Sequence, residues 1–303
     1  MSAIRFDTAD ETGAVNGRPG TPDGGPEAAP GSAGLRGYAF LLPYLLLFVF
    51  FVIYPVFNAV QMMFDPEAYR RLFHDSKYWT SLWNTVLFLF FAANIKMCIA
   101  LVLSGYFVST RRIVKVVSLI FLLPWALPHV PAILSINWML NADFGWVNVI
   151  LFRLFGIEGP AWLSKPDTAF AAIIGTHIWK YLPFWTMILV AGRLAIDRSL
   201  YEAAAMDGAT SLQMFRFITF PQIKGLFITS TMLTTIWSLG DFNSVYLLTG
   251  GGPFDRTHTL ATLGIKYAFT EGNLSLGLIT MMTALPILAP MVFVLLRRMN
   301  RGQ

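Results

Sequence analysis

Ser199 to Pro221 reads SLYEAAAMDGATSLQMFRFITFP, and the assignment of this one stretch decides the fold. It is too polar to lie in hydrocarbon, yet long apolar runs flank it on both sides. Ser199-Leu-Tyr-Glu202 has the Ser-x-x-Glu spacing of a capping box, in which two side chains satisfy the first free N–H groups of a helix. Ala203, Ala204 and Ala205 extend that helix with the residue of highest propensity. Asp207-Gly208 predicts its end, because glycine enters the left-handed region without a Cβ clash. Leu212, Phe215 and Ile218 then recur at helical spacing, and Pro221 is expected to stop this second helix. The result is a short helix-turn-helix elbow between two apolar segments, a shape suited to plugging into a partner. Local physics alone leaves an ordinary connecting loop equally open.

Outward from the elbow, composition sets the solvent. The 303-residue chain is 55% hydrophobic and only 13% charged, too apolar to clothe a soluble domain. Six segments approach the ~20 apolar residues needed to cross ~30 Å of hydrocarbon. They run about Tyr38 to Val60, Leu82 to Val108, Val114 to Leu140, Thr168 to Val190, Leu226 to Leu248 and Leu274 to Leu296. Prolines interrupt several, and Pro124, Pro128 and Pro131 predict a marked bend in the third. Residues 1–34 are rich in Gly, Pro, Ala and Asp with few large apolar side chains, so a disordered tail is expected before a membrane domain over residues 35–303. The single cysteine, Cys98, rules out an intrachain disulfide framework, and the four histidines show no metal-ligand spacing.

The Lys and Arg distribution orients the segments. With the N-terminal tail inside, Arg111, Arg112, Lys115, Arg193, Arg198, Arg216, Lys224, Arg297, Arg298 and Arg301 all fall on the cytoplasmic side. The basic residues of the other side are mostly mixed with acids. Both termini and the elbow are therefore expected in the cytoplasm. The net charge of +5 reflects this placement and implies no nucleic-acid partner.

Two motifs carry a family resemblance. Glu202-Ala-Ala204, Gly208 four residues later and Ile218-x-x-Pro221 resemble the EAA loop of ATP-binding-cassette (ABC) importer permeases, with Phe220 where that family usually has Leu. Phe242-Asn-Ser-Val-Tyr246-Leu-Leu-Thr249-Gly-Gly-Gly-Pro253 is similar to a segment of the MalF-like permeases of carbohydrate uptake, with Asn243 in place of the more frequent Asp. Trp83-Asn-Thr85 and Trp162-Leu-Ser164, with Trp179 and Pro183, fit the same family. The likeness spans about Tyr38 to Arg298. It implies an all-α integral membrane protein, the six transmembrane helices of a type I ABC importer domain with a cytoplasmic coupling helix, in the bacterial inner membrane. It further implies that the loop 193–225 meets an ATPase through Glu202, Ala203, Ala204, Asp207, Gly208 and Ala209. The partners so implied are a second homologous permease, two ATPase subunits, an external solute-binding protein and membrane lipid. No Gly-x-x-x-x-Gly-Lys-Ser/Thr sequence occurs, so no cofactor is expected on this chain, and ATP and Mg belong to the ATPase subunits.

Polar residues inside the apolar segments are the remaining signal, since groups there usually face a bundle interior or cavity. Asn94, Lys96, Asn137, His177, Lys180, Asn243 and Tyr246 are expected to line a substrate path, with Trp185 and Trp237 among the rings that could stack on a sugar. Snorkelling at an interface is the plainer account of Lys96 and Lys180. With Asp241 placed near a segment end, the path carries more positive than negative groups, which suggests an anionic cargo. An ion-coupled secondary transporter is the alternative, and it requires an intramembrane acid or an internal repeat. A membrane enzyme ranks last, because no catalytic constellation is visible in the sequence.

Overall fold

The computed structural model describes residues Leu41–Arg301, and the expected disordered tail lies outside the described residues. Among these residues every regular element is a helix. The chain divides into two compact units, Met1–Val56 and Phe57–Gln303.

The described part of the first unit belongs to α1 (Leu41–Met62), a span of 22 residues with a π-helical turn at Val49–Ile53. Its apolar side chains are exposed, as suits a surface whose solvent is lipid. Within the second unit, α2 (Pro66–His74) begins at Asp65, whose carboxylate accepts the N–H groups of Glu67 and Ala68. The 32-residue α3 (Ser76–Phe107) is the central strut. It packs most extensively against α7 (Pro166–Leu194), which is 29 residues long. Ala92, Ala93, Ala100 and Ser104 are buried on α3, and such small side chains let helix backbones approach closely in membranes.

The third expected segment is a broken one. It consists of α4 (Arg112–Ala126) and α5 (His129–Met139), whose axes differ by 97°. A short exposed helix, α6 (Trp146–Phe155), then leads to α7. The elbow follows as α8 (Arg198–Met206) and α9 (Ser211–Met214), which passes through a π turn, Phe215–Thr219, into α10 (Phe220–Leu239). The remaining helices are α11 (Asn243–Thr249), α12 (Leu260–Ile265), α13 (Leu274–Met282) and α14 (Leu285–Arg301).

Three expectations about element ends need correction. Ser199 and Glu202 do not form the capping box; Asp197 caps α8 instead, accepting the N–H of Ser199 at 2.9 Å. A capping box does occur, between Thr210 and Gln213, and it starts the second arm. Pro221 does not end that arm: the chain stays helical through the π turn Phe215–Thr219 and carries Pro221 into the first turn of α10. The fifth segment stops at Leu239 rather than near Leu248. Gly240 and Asp241 interrupt it, and the Asp241 carboxylate accepts the N–H of Ser244 to open α11.

Three described stretches are long and apolar enough to cross a membrane, namely α1, α3 and Leu274–Arg297 running through α13 into α14, or four if the bent pair counts as one span. α7 and α10 reach membrane length as well, but the polar side chains they carry keep them out of that set. These residues, described next, are those that build the interior of the bundle.

Candidate functional site

Two ends of the bundle can be told apart by their contacts. At one end the loop Gly250–Thr259 is fastened to the start of α3. Asn84 Nδ2 donates to the carbonyls of Arg256 (2.8 Å) and His258 (3.0 Å), and Thr85 Oγ1 accepts the N–H of Leu260. Asp255 accepts from Lys266 Nζ at 2.6 Å and pairs with Lys77 at 3.3 Å. Burial pushes the Asp255 carboxyl up, but these two lysines outweigh it and hold the group below the ordinary carboxylate range. Burial in the same loop lowers the His258 imidazole, against the pull of Asp255.

At the other end lies the elbow. Gly208 takes φ +76°, the left-handed turn that its sequence predicts, and the N–H of Ala209 closes back onto the Ala204 carbonyl. Glu202 is exposed rather than engaged as a cap, as are Ala203 and Asp207, while Ala204 and Ala209 are half-buried. The tip is apolar: Met206, Leu212 and Phe217 are 85%, 74% and 70% exposed. The two arms are tied by Tyr201 Oη and Thr219 Oγ1, 2.8 Å apart. Arg193 roots the elbow in the bundle. It donates to Ser104 Oγ (2.8 Å) and the Leu101 carbonyl (2.9 Å) on α3 and lies over the Phe215 ring. The sequence reading used Arg193 only as a cytoplasmic charge, so this anchoring role was missed.

Between the ends, the structure brings some of the expected path residues together and separates others. His177 is the hub. Its Nδ1 lies 2.6 Å from Asp241 Oδ2, and its Nε2 lies 3.0 Å from both Lys96 Nζ and Ser238 Oγ. A carboxylate only accepts and an ammonium only donates, so Nδ1–H donates to Asp241 and Nε2 accepts from Lys96. These four residues join α3, α7, α10 and the break before α11, and all are buried. Lys96, His177 and Ser238 line a cavity of about 190 Å³ with Tyr181, Trp185, Thr234 and Trp237.

Asp241 corrects the electrostatic reading. Its carboxylate is buried inside the cluster and balances Lys96, so the expected surplus of positive charge is absent there. Lys180 does not face the cavity; its ammonium is bound to backbone carbonyls of α4 and the bend. Asn137 is also engaged with backbone, donating to the Leu248 carbonyl at 2.6 Å. Asn94 is exposed and bonds its own helix through the Phe90 carbonyl, apart from the cluster. Asn243 and Tyr246 are exposed on α11, where Tyr246 stacks on Phe242.

Ser238, His177 and Asp241 stand in the order of a hydroxyl–imidazole–carboxylate relay, yet the hydroxyl is not activated. Ser238 donates to the Thr234 carbonyl at 2.7 Å, and Lys96 already occupies the imidazole lone pair. The cluster is a buried polar junction between helices.

A polytopic helical bundle with an apolar elbow at one end and a buried polar junction in its middle defines the class: a membrane permease. Comparison with known proteins makes the assignment specific. Residues 96–301 match the family model described as the inner membrane component of binding-protein-dependent transport systems, and the chain belongs to that family. It is similar to the trehalose/maltose transport system permease protein MalF of Thermococcus litoralis, at 33% identity over 80% of this chain and 85% of that one. It is 35% identical to the sulfoquinovosyl glycerol transport system permease protein SmoG of Agrobacterium fabrum, over 73% of this chain and 76% of that one. The crystal structure of a bacterial alginate ABC transporter, in complex with its periplasmic protein bound to an alginate pentasaccharide, superposes with a TM-score of 0.73. It does so at 21% identity and over 88% of this chain and 93% of that one. The fold is accordingly the type I importer transmembrane domain, and the protein is a multi-pass inner membrane component of a transport system.

Proposed function

We propose that this chain is one of two transmembrane halves of an ATP-driven importer of a sugar or sugar derivative, fed by an external solute-binding protein and working by alternating access. The observation that carries the reading is the elbow. Met206, Leu212 and Phe217 stand exposed on the two short arms either side of Gly208, outside the long helices, and exposed apolar side chains there suit a protein partner. In the proposed complex that partner is a cytoplasmic ATPase subunit, one of two, which supplies ATP and Mg, and Gly208 keeps the turn that fits it. The Lys and Arg placement supports the same reading, in which both chain termini are cytoplasmic. Asp197, Tyr201–Thr219 and Arg193 make the elbow a stiff lever on α3 and α7, so movement of the ATPase is passed to the helices.

The sugar class rests on the relatives, whose named cargoes are trehalose or maltose and sulfoquinovosyl glycerol. With Lys96 balanced by Asp241, an anionic cargo has no support from the charge of the junction itself. Its support is the second of those relatives together with the acidic polysaccharide of the alginate transporter. Inward and outward states must lie within a few kcal/mol of each other for nucleotide and loaded binding protein to exchange them.

Reconstitution tests the reading. The chain, a second homologous permease, the ATPase and the binding protein are placed in liposomes, and uptake of labelled neutral and acidic sugars is followed. Uptake that requires both enclosed ATP and binding protein is expected. Uptake by the chain alone, driven by a proton or sodium gradient, would establish the secondary-transporter alternative instead.

A further inference from the structure

The break between α4 and α5 leaves identifiable backbone groups without helix partners. In an α-helix the carbonyl of residue i accepts from the N–H of residue i+4. The Pro124 carbonyl would look to residue 128 and the Leu127 carbonyl to residue 131, and both are prolines, which have no N–H. The Trp125 carbonyl would look to His129, which lies beyond the 97° bend. The Ala126 carbonyl would look to Val130, also beyond the bend, so four neighbouring carbonyls are freed in a segment of membrane depth, where water is not at hand to satisfy them.

Lys180 on α7 meets three of the four. Its Nζ donates to the Pro124 carbonyl at 2.7 Å and to the Leu127 carbonyl, and lies 3.4 Å from the Trp125 carbonyl. Only 2% of the residue is exposed. An ammonium has three N–H groups and no acceptor, so it can donate once to each of these three carbonyls. The same face of α7 holds the bend on either side. Phe184 stacks on Trp125 at 5.5 Å, and Tyr181 Oη lies 2.9 Å from His129 Nε2.

We propose that Lys180 is a positioning residue for transport: its ammonium is a tethered cation seated in a three-carbonyl site, where it fixes the angle between α4 and α5. Once the side chain is cut back, that site accepts a small free ammonium ion. The transport consequence rests on the importer reading above, whereas the carbonyl site does not.

The test uses the assembled complex with Cys98→Ser and spin labels at Leu119→Cys and Leu134→Cys, exposed positions on the two sides of the bend. The parent and Lys180→Arg are expected to give one narrow distance distribution, and Lys180→Ala a broad one. Methylammonium should restore the narrow distribution in Lys180→Ala, while tetramethylammonium, which has no N–H, should not. ATP-driven uptake in Lys180→Ala should fall by about tenfold or more and recover with methylammonium alone. If Lys180→Ala does not insert, Lys180→Gln, with two amide donors, should show an intermediate width.

An unchanged distribution in the truncated variant overturns the proposal, as does a broad one on which the two amines act alike. Restored geometry without restored uptake, in a complex whose parent transports, overturns the transport role. A parent that never transports with ATP strikes the importer reading and leaves the carbonyl site standing.

Discussion

Gly208 is the residue on which the elbow turns. At φ +76° a side chain with a Cβ is strained whatever space surrounds it, and Gly208 has open space. Left-handed backbone costs about 1–2 kcal/mol for an L-residue, and a β-branched side chain adds to that. Gly208→Val should therefore insert normally and hydrolyse ATP in the complex, yet transport less cargo per ATP consumed. An unchanged ratio of uptake to hydrolysis would remove the turn from the coupling account. His258 offers a second test at this scale. Burial lowers its folded pKa below the ordinary histidine value of about 6.5, so the unfolded chain takes up a proton more readily. The stability tied to neutral His258 is complete above that value and is lost as pH falls through the folded pKa. The thermal midpoint in detergent should drop from pH 7 to pH 5, with a shallower slope in His258→Gln. Equal slopes would show that another group governs the acid limb.

At the scale of elements, the junction of α3, α7 and the Leu239–Asn243 break is the part most exposed to single changes. Lys96 and Asp241 are opposite charges bridged by His177 rather than a direct pair, and stranding one buried charge costs at most about the 3–5 kcal/mol of a broken buried ion pair. Asp241→Asn should lower thermal stability by that order, and adding Lys96→Met should return part of the loss by deleting the stranded ammonium. A double variant as unstable as the sum of the singles would show that Lys96 and Asp241 do not interact through His177. This junction also marks where the sequence stopped being informative. The six apolar runs were readable from their length, and the bend from three prolines. Asp241 was not, because a hydropathy window of membrane length averages over one acid and one glycine. Its partner His177 is distant in the chain, so the pairing has no local trace. Two of the expected path residues have backbone partners that the sequence does not announce, for a related reason. Lys180 and Asn137 are polar to satisfy backbone carbonyls, a need created by prolines and helix ends elsewhere. Asp197 could have been identified, since it precedes the helix as a good cap, but the Ser199 and Glu202 spacing drew the start two residues too late.

For the molecule as a whole, the two ends of the bundle are built differently. The Gly250–Thr259 end is locked to the start of α3 by side-chain to backbone bonds and by the Asp255 lysine pairs, whereas the elbow is a separate pair of short arms held to the far end of α3 through Arg193. That asymmetry fits a component that receives cargo on one side and force on the other. The central claim is that the elbow meets an ATPase in the cytoplasm, and cysteine cross-linking at its tip tests that directly. In a Cys98→Ser background, Met206→Cys in the assembled complex should form a cross-link to the ATPase subunit and resist membrane-impermeant thiol reagents added outside intact cells. Labelling of Met206→Cys from outside, or an assembled complex in which it links to no nucleotide-hydrolysing subunit, would contradict the account.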